Sequence, residues 1–129
     1  MERQRYSTDT EWEQRIGYSR AVRCGQHVQV SGTLGVGVDG RPPAGAYAQS
    51  VAALERIAGA LEAVGASISD VVRTRMYVVD VEANQADVGR AHHEWFADVR
   101  PASSMLGVVG FAASGFLVEI EVDAIVANA

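Results

Sequence analysis

The stretch FLVEIEVDAIV, residues 116–126, sets Phe116, Val118, Ile120, Val122 and Ala124 against Leu117, Glu119, Glu121, Asp123 and Ile125 on alternate positions. One apolar and one acidic set at period two fit a half-buried β-strand, because successive side chains of a strand leave opposite faces of the sheet. VVRTRMYVV, 71–79, repeats the pattern, with Val72, Thr74, Met76 and Val78 opposite Val71, Arg73, Arg75, Tyr77 and Val79. Two such strands oblige the chain to cover one face of a sheet with an apolar layer.

Two helical segments are available for that layer. Tyr47, Val51, Leu54, Ile57/Ala58, Leu61 and Val64 recur at helical spacing, and Gly65 stands where a left-handed residue ends a helix. A second helix is predicted over about 82–98, with Val88, Ala91/His92, Trp95, Phe96 and Val99 as its stripe and Pro101 closing it. SSMLGVV then reads as a strand. Upstream, IGYSRAVR (16–23) and HVQVSGT (27–33) flank the turn CGQ and predict a hairpin, and residues 1–15 form an N-terminal extension or edge segment. The order is β-β-α-β-α-β-β, a single α+β domain over 1–129 in which both helices pack on one face of a mixed sheet. The other face would carry Tyr77, Val79, Leu117 and Ile125 beside Arg73, Arg75, Glu119 and Glu121. No third helix exists to cover it, so a second copy of the chain is expected there, with any small-molecule site between subunits.

Charge narrows the class of partner. The 129 residues carry a net charge of −5, and all eleven basic residues are scattered arginines, which disfavours nucleic acid and anionic membranes. No run reaches the length of a membrane span, and MERQRYSTDTEWEQR has charges where a signal peptide needs an apolar core, so a cytoplasmic protein is expected. The single Cys24 can form no internal disulfide and reads as a small strand residue.

Several motifs weaken on inspection. GVGVDG, Gly35–Gly40, has the letters of a dinucleotide fingerprint, but RPPAG intervenes before any helix can begin, so a loop is expected and no cofactor. His27, His92 and His93 lack the spacing of a zinc site, and no metal is expected. Without a G-x-S-x-G elbow, Ser31, Ser103 and Ser104 are poor triad nucleophiles. The ladder Glu119, Glu121, Asp123 is more informative, because three carboxylates on one face repel unless solvated or countered. Glu121 and Asp123 read as a wet face. Glu119, nearer the strand centre beside Leu117, fits a partly desolvated general base, with Arg73 or Arg75 as possible charge partners.

Four segments in order, GYSRAVRCGQHVQVSGT, LEAVGASISDVVRTRMYVVD, VRPASSM and LVEIEVDAI, resemble the Rid family (RidA/YjgF, or L-PSP) from about Gly17 to Val126. The resemblance implies a chorismate-mutase-like, YjgF-type α+β fold: a mixed six-stranded sheet with two helices on one face, assembled as a homotrimer with clefts between subunits. It also implies cofactor-free and metal-free hydrolysis of enamines and imines, the 2-iminoacid deaminase reaction. In such proteins an arginine in a P-A-R-S context grips the substrate carboxylate, a glutamate orients water, and a tyrosine and a serine of the first hairpin complete the pocket.

Carried over, these roles fall on Glu119 as the catalytic group and on Tyr18, Ser31 and Gly32 of the VSG turn as substrate-binding residues. The arginine position is Ser103, because this chain reads P-A-S-S, and a serine supplies a hydroxyl but no charge. Met105 could present a backbone N–H to the ligand, and Arg100 or Arg75 could supply the missing charge. Gly89 and a short Phe96–Pro101 connection depart further from the family pattern. The expected function is therefore binding or hydrolysis of a small reactive metabolite of imine or enamine type. Deaminase action on 2-imino acids is weakened by Ser103. A non-catalytic metabolite-binding trimer is the alternative, and a ribonuclease or translation inhibitor ranks below both.

Overall fold

A computed structural model describes residues 2–127. Six strands form one sheet in the order β1-β2-β3-β6-β4-β5, where β1 is Arg3–Tyr6, β2 Ala21–Cys24, β3 His27–Leu34, β4 Val71–Val79, β5 Ala102–Val108 and β6 Val118–Ile125. All neighbours are antiparallel except β4 and β5. Helix α3 (Val81–Phe96) makes the crossover that a parallel pair requires, and α2 (Ala46–Ala63) joins β3 to β4 across the intervening β6. Both helices pack on one face. Leu54, Ile57 and Leu61 of α2, Val88 and Phe96 of α3, and Val118, Ile120 and Val122 of β6 are fully buried between the layers.

The sheet and helix α3 follow the periodicities of the sequence. β4 occupies the 71–79 segment, the apolar set of β6 is the buried one, and Gly65 adopts φ +81° just past the end of α2. The buried face of α2 keeps Leu54, Ile57 and Leu61 of the expected stripe but runs through Ala46, Gln49, Ser50, Ala53 and Ala60, leaving Tyr47, Val51 and Ala58 only partly buried. Two other details differ. Val71 is 3% exposed and Val72 42%, the reverse of strict alternation, because the register of β4 against β6 shifts between Val71 and Arg73. A bulge adds one residue to one strand and moves the alternation by one place. The second difference lies in the first hairpin, whose outer arm begins at Ala21 and not at Ile16.

Residues 11–16 instead form a one-and-a-half-turn helix, α1 (Glu11–Ile16). Local chemistry accounts for it. The Thr10 side chain caps the Glu13 N–H, Glu11 and Glu13 lie in the first turn, Arg15 in the last pairs with Glu11, and Gly17 ends the helix at φ +92°. The segment before it contributes β1, which pairs with β2 at the sheet edge.

Candidate functional site

At the end of the sheet where β3 finishes and β6 begins, α1, α2 and the 110–116 loop enclose a cleft of about 630 Å³, within the range of small-molecule sites. Its floor holds Tyr18, Gly32 and Glu119; its walls are Trp12, Ile16, Val36, Phe111 and Phe116; Glu13, Arg20 and Arg56 complete it.

Glu119 faces this cleft by the unbroken alternation of β6, and beside it β3 shifts register between Val30 and Thr33, leaving Ser31 and Gly32 out of the ladder. A β-carbon at Gly32 would lie 2.8 Å from the Cδ and Oε1 atoms of Glu119, so any other residue there would displace the carboxylate from its present position. The three acids of β6 then meet different fates. Glu121 accepts a 2.6 Å hydrogen bond from the Tyr77 hydroxyl, and Asp123 accepts one of 3.2 Å from Arg75. Among the described residues the Glu119 side chain makes neither a hydrogen bond nor an ion pair. Burial pushes its carboxyl above the ordinary glutamate value, Glu121 adds repulsion, and Arg20 offsets part of the rise. A carboxylate of raised basicity facing an open cleft can take a proton from water.

Arg20 and Arg56 were not legible as site residues. Arg20, 8% exposed, donates through Nη2 to the Gly32 carbonyl at 3.0 Å and through Nη1 to Thr33 Oγ1 at 3.3 Å. Its Nε stands 3.9 Å from a Glu13 oxygen, and no hydrogen-bond partner reaches that nitrogen. Glu13 is itself held by the Ser7, Thr8 and Thr10 hydroxyls and the Thr8 N–H. Arg56, from α2, donates to the Leu34 carbonyl. Gln49 was missed as well. Its amide nitrogen donates to the Pro43 and Gly115 carbonyls, and its oxygen accepts the Leu117 N–H, which fixes the 110–117 loop that walls the cleft. Nothing in the sequence marked it, since it lies off the stripe read from Tyr47 to Val64 and is buried only by the way α2 packs.

Other candidate residues lie elsewhere in the protomer. Ser31 donates a 2.6 Å hydrogen bond to the Ser19 carbonyl and faces a neighbouring concavity with Arg3, Arg5 and Arg75. Ser103 and Met105 lie on β5, two strands from β6. Ser103 pairs in register with Thr74, whose hydroxyl, fully buried, donates to Ser103 Oγ and meets His92 Nε2, both at 2.8 Å. This chain of hydroxyls and imidazole lies on the helix-covered side of the sheet, whereas Glu119 lies on the other. Arg75 is engaged by Asp123 and, at 3.7 Å, by Glu121; Arg73 makes no ion pair among the described residues. Arg100 lines a separate hollow with Gly89, His92 and His93. No described group of His, Cys, Asp or Glu is arranged to hold a metal ion, and no described helix is long and apolar enough to cross a membrane. Helix α2 opens only at Ala46, so the glycines of GVGVDG do not lead into a helix as a dinucleotide fingerprint requires.

A family model described as Endoribonuclease L-PSP matches residues 8–126. Uncharacterized protein SCO2049 of Streptomyces coelicolor is 38% identical over 93% of this chain and 90% of its own. Rv2704 of Mycobacterium tuberculosis, described as a member of the YjgF/YER057c/UK114 family, superposes with a TM-score of 0.88 at 46% identity, covering 97% of this chain and all of its own. NMB1025 of Neisseria meningitidis, from the YjgF family, shares the fold at a TM-score of 0.83 and 22% identity, covering 100% and 98%.

Proposed function

The chain belongs to the Endoribonuclease L-PSP (YjgF) family, and from that premise we propose that it binds and hydrolyses a small reactive metabolite of imine or enamine type. Glu119 carries the reading: it is the one carboxylate of the β6 ladder left without a partner, half-buried, in a cleft of ligand size. In the proposed reaction Glu119 takes a proton from water as the water oxygen bonds to the C=N carbon. The π pair moves to nitrogen, which takes that proton from the Glu119 carboxyl, giving the neutral carbinolamine. Glu119 then takes the hydroxyl proton and passes it to the amine nitrogen, the O–H pair forms the C=O bond as the C–N bond breaks, and ammonia leaves with the C–N pair, giving the carbonyl product. Tyr18 lies beside the cleft as an orienting hydroxyl.

Ser103 and Met105 sit on the edge strand β5, two strands from β6, and Ser103 faces the opposite side from Glu119. A site that unites them with Glu119 needs another copy of the chain, in keeping with the homotrimer and inter-subunit clefts that the family resemblance implies. The open sheet face, where Leu106 and Ile125 are 44% and 40% exposed, supports it too. The net charge of −5 favours a small molecule over the RNA that the family description names. Imines generated in situ by an amino-acid oxidase test the reading. The protein is expected to accelerate imine loss, and Glu119→Gln to slow it by about a hundredfold or more. Equal rates for the two proteins would remove Glu119 from the reaction; no acceleration by either would leave a binding protein.

A further inference from the structure

The walls of the cleft are held in different ways. Leu54, Ile57 and Leu61 root α2 in the core, and the three hydrogen bonds of Gln49 tie down the 110–117 loop. The α1 wall has no such anchor. Within residues 7–18 Glu13 is the only buried residue, while Trp12 and Ile16, which line the cleft, are 47% and 63% exposed. A segment that sinks no apolar side chain into the core gains little from the hydrophobic effect by staying in place. Its hydrogen bonds are also internal. The Ser7, Thr8 and Thr10 hydroxyls that hold Glu13, and the Glu13 carbonyl that accepts the Gly17 and Tyr18 N–H groups, all belong to the same stretch. Among the described residues no hydrogen bond joins 7–18 to the rest of the protein.

What crosses the gap is one ion pair. Arg20, fixed to β3 through the Gly32 carbonyl and Thr33 Oγ1, stands with Nε 3.9 Å from a Glu13 oxygen, both side chains out of water. No hydrogen bond spans the pair, and Arg20 Nε has no hydrogen-bond partner. Closing such a pair strips water from two charges; on separation water returns to both, which offsets part of the attraction lost. The neck of the segment leaves the sheet undisturbed. The Arg20 N–H donates to the Tyr6 carbonyl at 2.8 Å, so the backbone is closed below it, and Asp9 and Gly17, at φ +57° and +92°, bracket α1 as turning points. We propose that residues 7–18 are a strap that swings off the Glu119 cleft as a unit while the sheet stays folded, with the Glu13–Arg20 pair as its latch. Closed, it sets Trp12 and Ile16 as a wall that shields Glu119 from bulk water; open, it gives a ligand its way in. The gating role rests on the reading of the Glu119 cleft as the ligand site, whereas the opening itself does not.

Hydrogen exchange of the full chain, followed amide by amide, tests it. The Gln14, Gly17 and Tyr18 amides should exchange at least about tenfold faster than those of β6, at rates insensitive to low denaturant, as local opening requires. Glu13→Gln should speed them by about tenfold or more, and by more than it speeds β6; Ser7→Ala should act in the same direction, less strongly. Strap amides that exchange only with β6, sharing its denaturant dependence, would overturn the strap, as would equal acceleration of both regions in Glu13→Gln. The wild-type comparison decides even where a variant folds poorly. Carbodiimide coupling of glycinamide to Glu119, read by mass spectrometry, should quicken in Glu13→Gln; an unchanged rate beside faster strap exchange would overturn the gating role. Glu119→Gln separates the two proposals, since it should abolish imine turnover and leave strap exchange as in wild type. Intact turnover with an independently opening strap would sink the hydrolytic role alone, and lost turnover with a strap locked to β6 would sink the strap alone.

Discussion

Glu13 and Glu119 line the same cleft, both withdrawn from water and both within the electrostatic reach of Arg20, yet their proton affinities move in opposite directions. Burial alone would push Glu13 up; the hydrogen bonds from Thr8, Ser7 and Thr10 outweigh it and pull the carboxyl down to about 2. Glu119 has no such donors, so burial prevails and its carboxyl rises. The number of donors aimed at the charged form, more than depth, decides whether a buried carboxylate is a fixed counter-ion or a proton acceptor. The Ser7–Thr10 segment makes Glu13 the first kind. The bulge at Ser31–Gly32 and the open cleft make Glu119 the second.

The contrast is most directly broken at Glu119 itself. Glu119→Gln is expected to lose about a hundredfold or more in imine turnover, whereas Glu121→Gln, one pleat away, should stay within a few-fold. Gly32→Ala should place a methyl against the Glu119 carboxylate and lower turnover about tenfold or more, with circular dichroism unchanged; full activity would show that the carboxylate's seat is not critical. Stability sharpens the comparison further. Glu13, with its depressed carboxyl, stabilises the fold above its unfolded value of about 4.5, and this contribution is lost as pH falls through about 2. Glu13→Gln should flatten the stability–pH curve in that window, as chemical denaturation would report. Glu119 has the opposite sign: raised in the fold, it costs stability as pH rises from 4.5 through its folded value, so Glu119→Gln should melt higher than wild type at neutral pH. The smallest effect is expected from Glu121→Gln, which removes repulsion from Glu119 and should move the acid limb of the pH–rate profile to lower pH.

Much of the fold was legible because buried faces impose their periods on the sequence. The alternation in 71–79 and 116–126, and Leu54, Ile57, Leu61 and Val64 of the stripe read over 47–64, are images of one face packed on a core, whereas the alanines, Gln49 and Ser50 that complete the buried face of α2 carry no apolar signal. Helix α1 was hidden, since six residues give too few turns for a stripe, although Thr10 and Glu13 stand at the spacing of a capping box. The slip at Val71–Val72 was hidden for a related reason: a bulge changes no residue type, only which neighbour it opposes. In the cleft, Glu119, Tyr18 and Gly32 are residues that the family resemblance names, and the structure brings them together. Arg20 in GYSRAVR and Arg56 in LERIAG read as ordinary solvated charges, because nothing local distinguishes an arginine that snorkels to water from one that ends in a cleft.

By itself, the sequence determined the alternation of strands with two covering helices, the acidic ladder on β6 and the uncharged P-A-S-S entry to β5, because each is a property of residue order along one element. The tertiary structure decided which of those acids would stand without a partner, and it brought Arg20, Arg56, Trp12 and Phe116 from four distant segments to one cleft. Proximity of that kind comes from chain closure and register: α1, α2 and the 110–116 loop close over the face that alternation gives Glu119, and the one-residue shift at Ser31–Gly32 sets a glycine against its carboxylate.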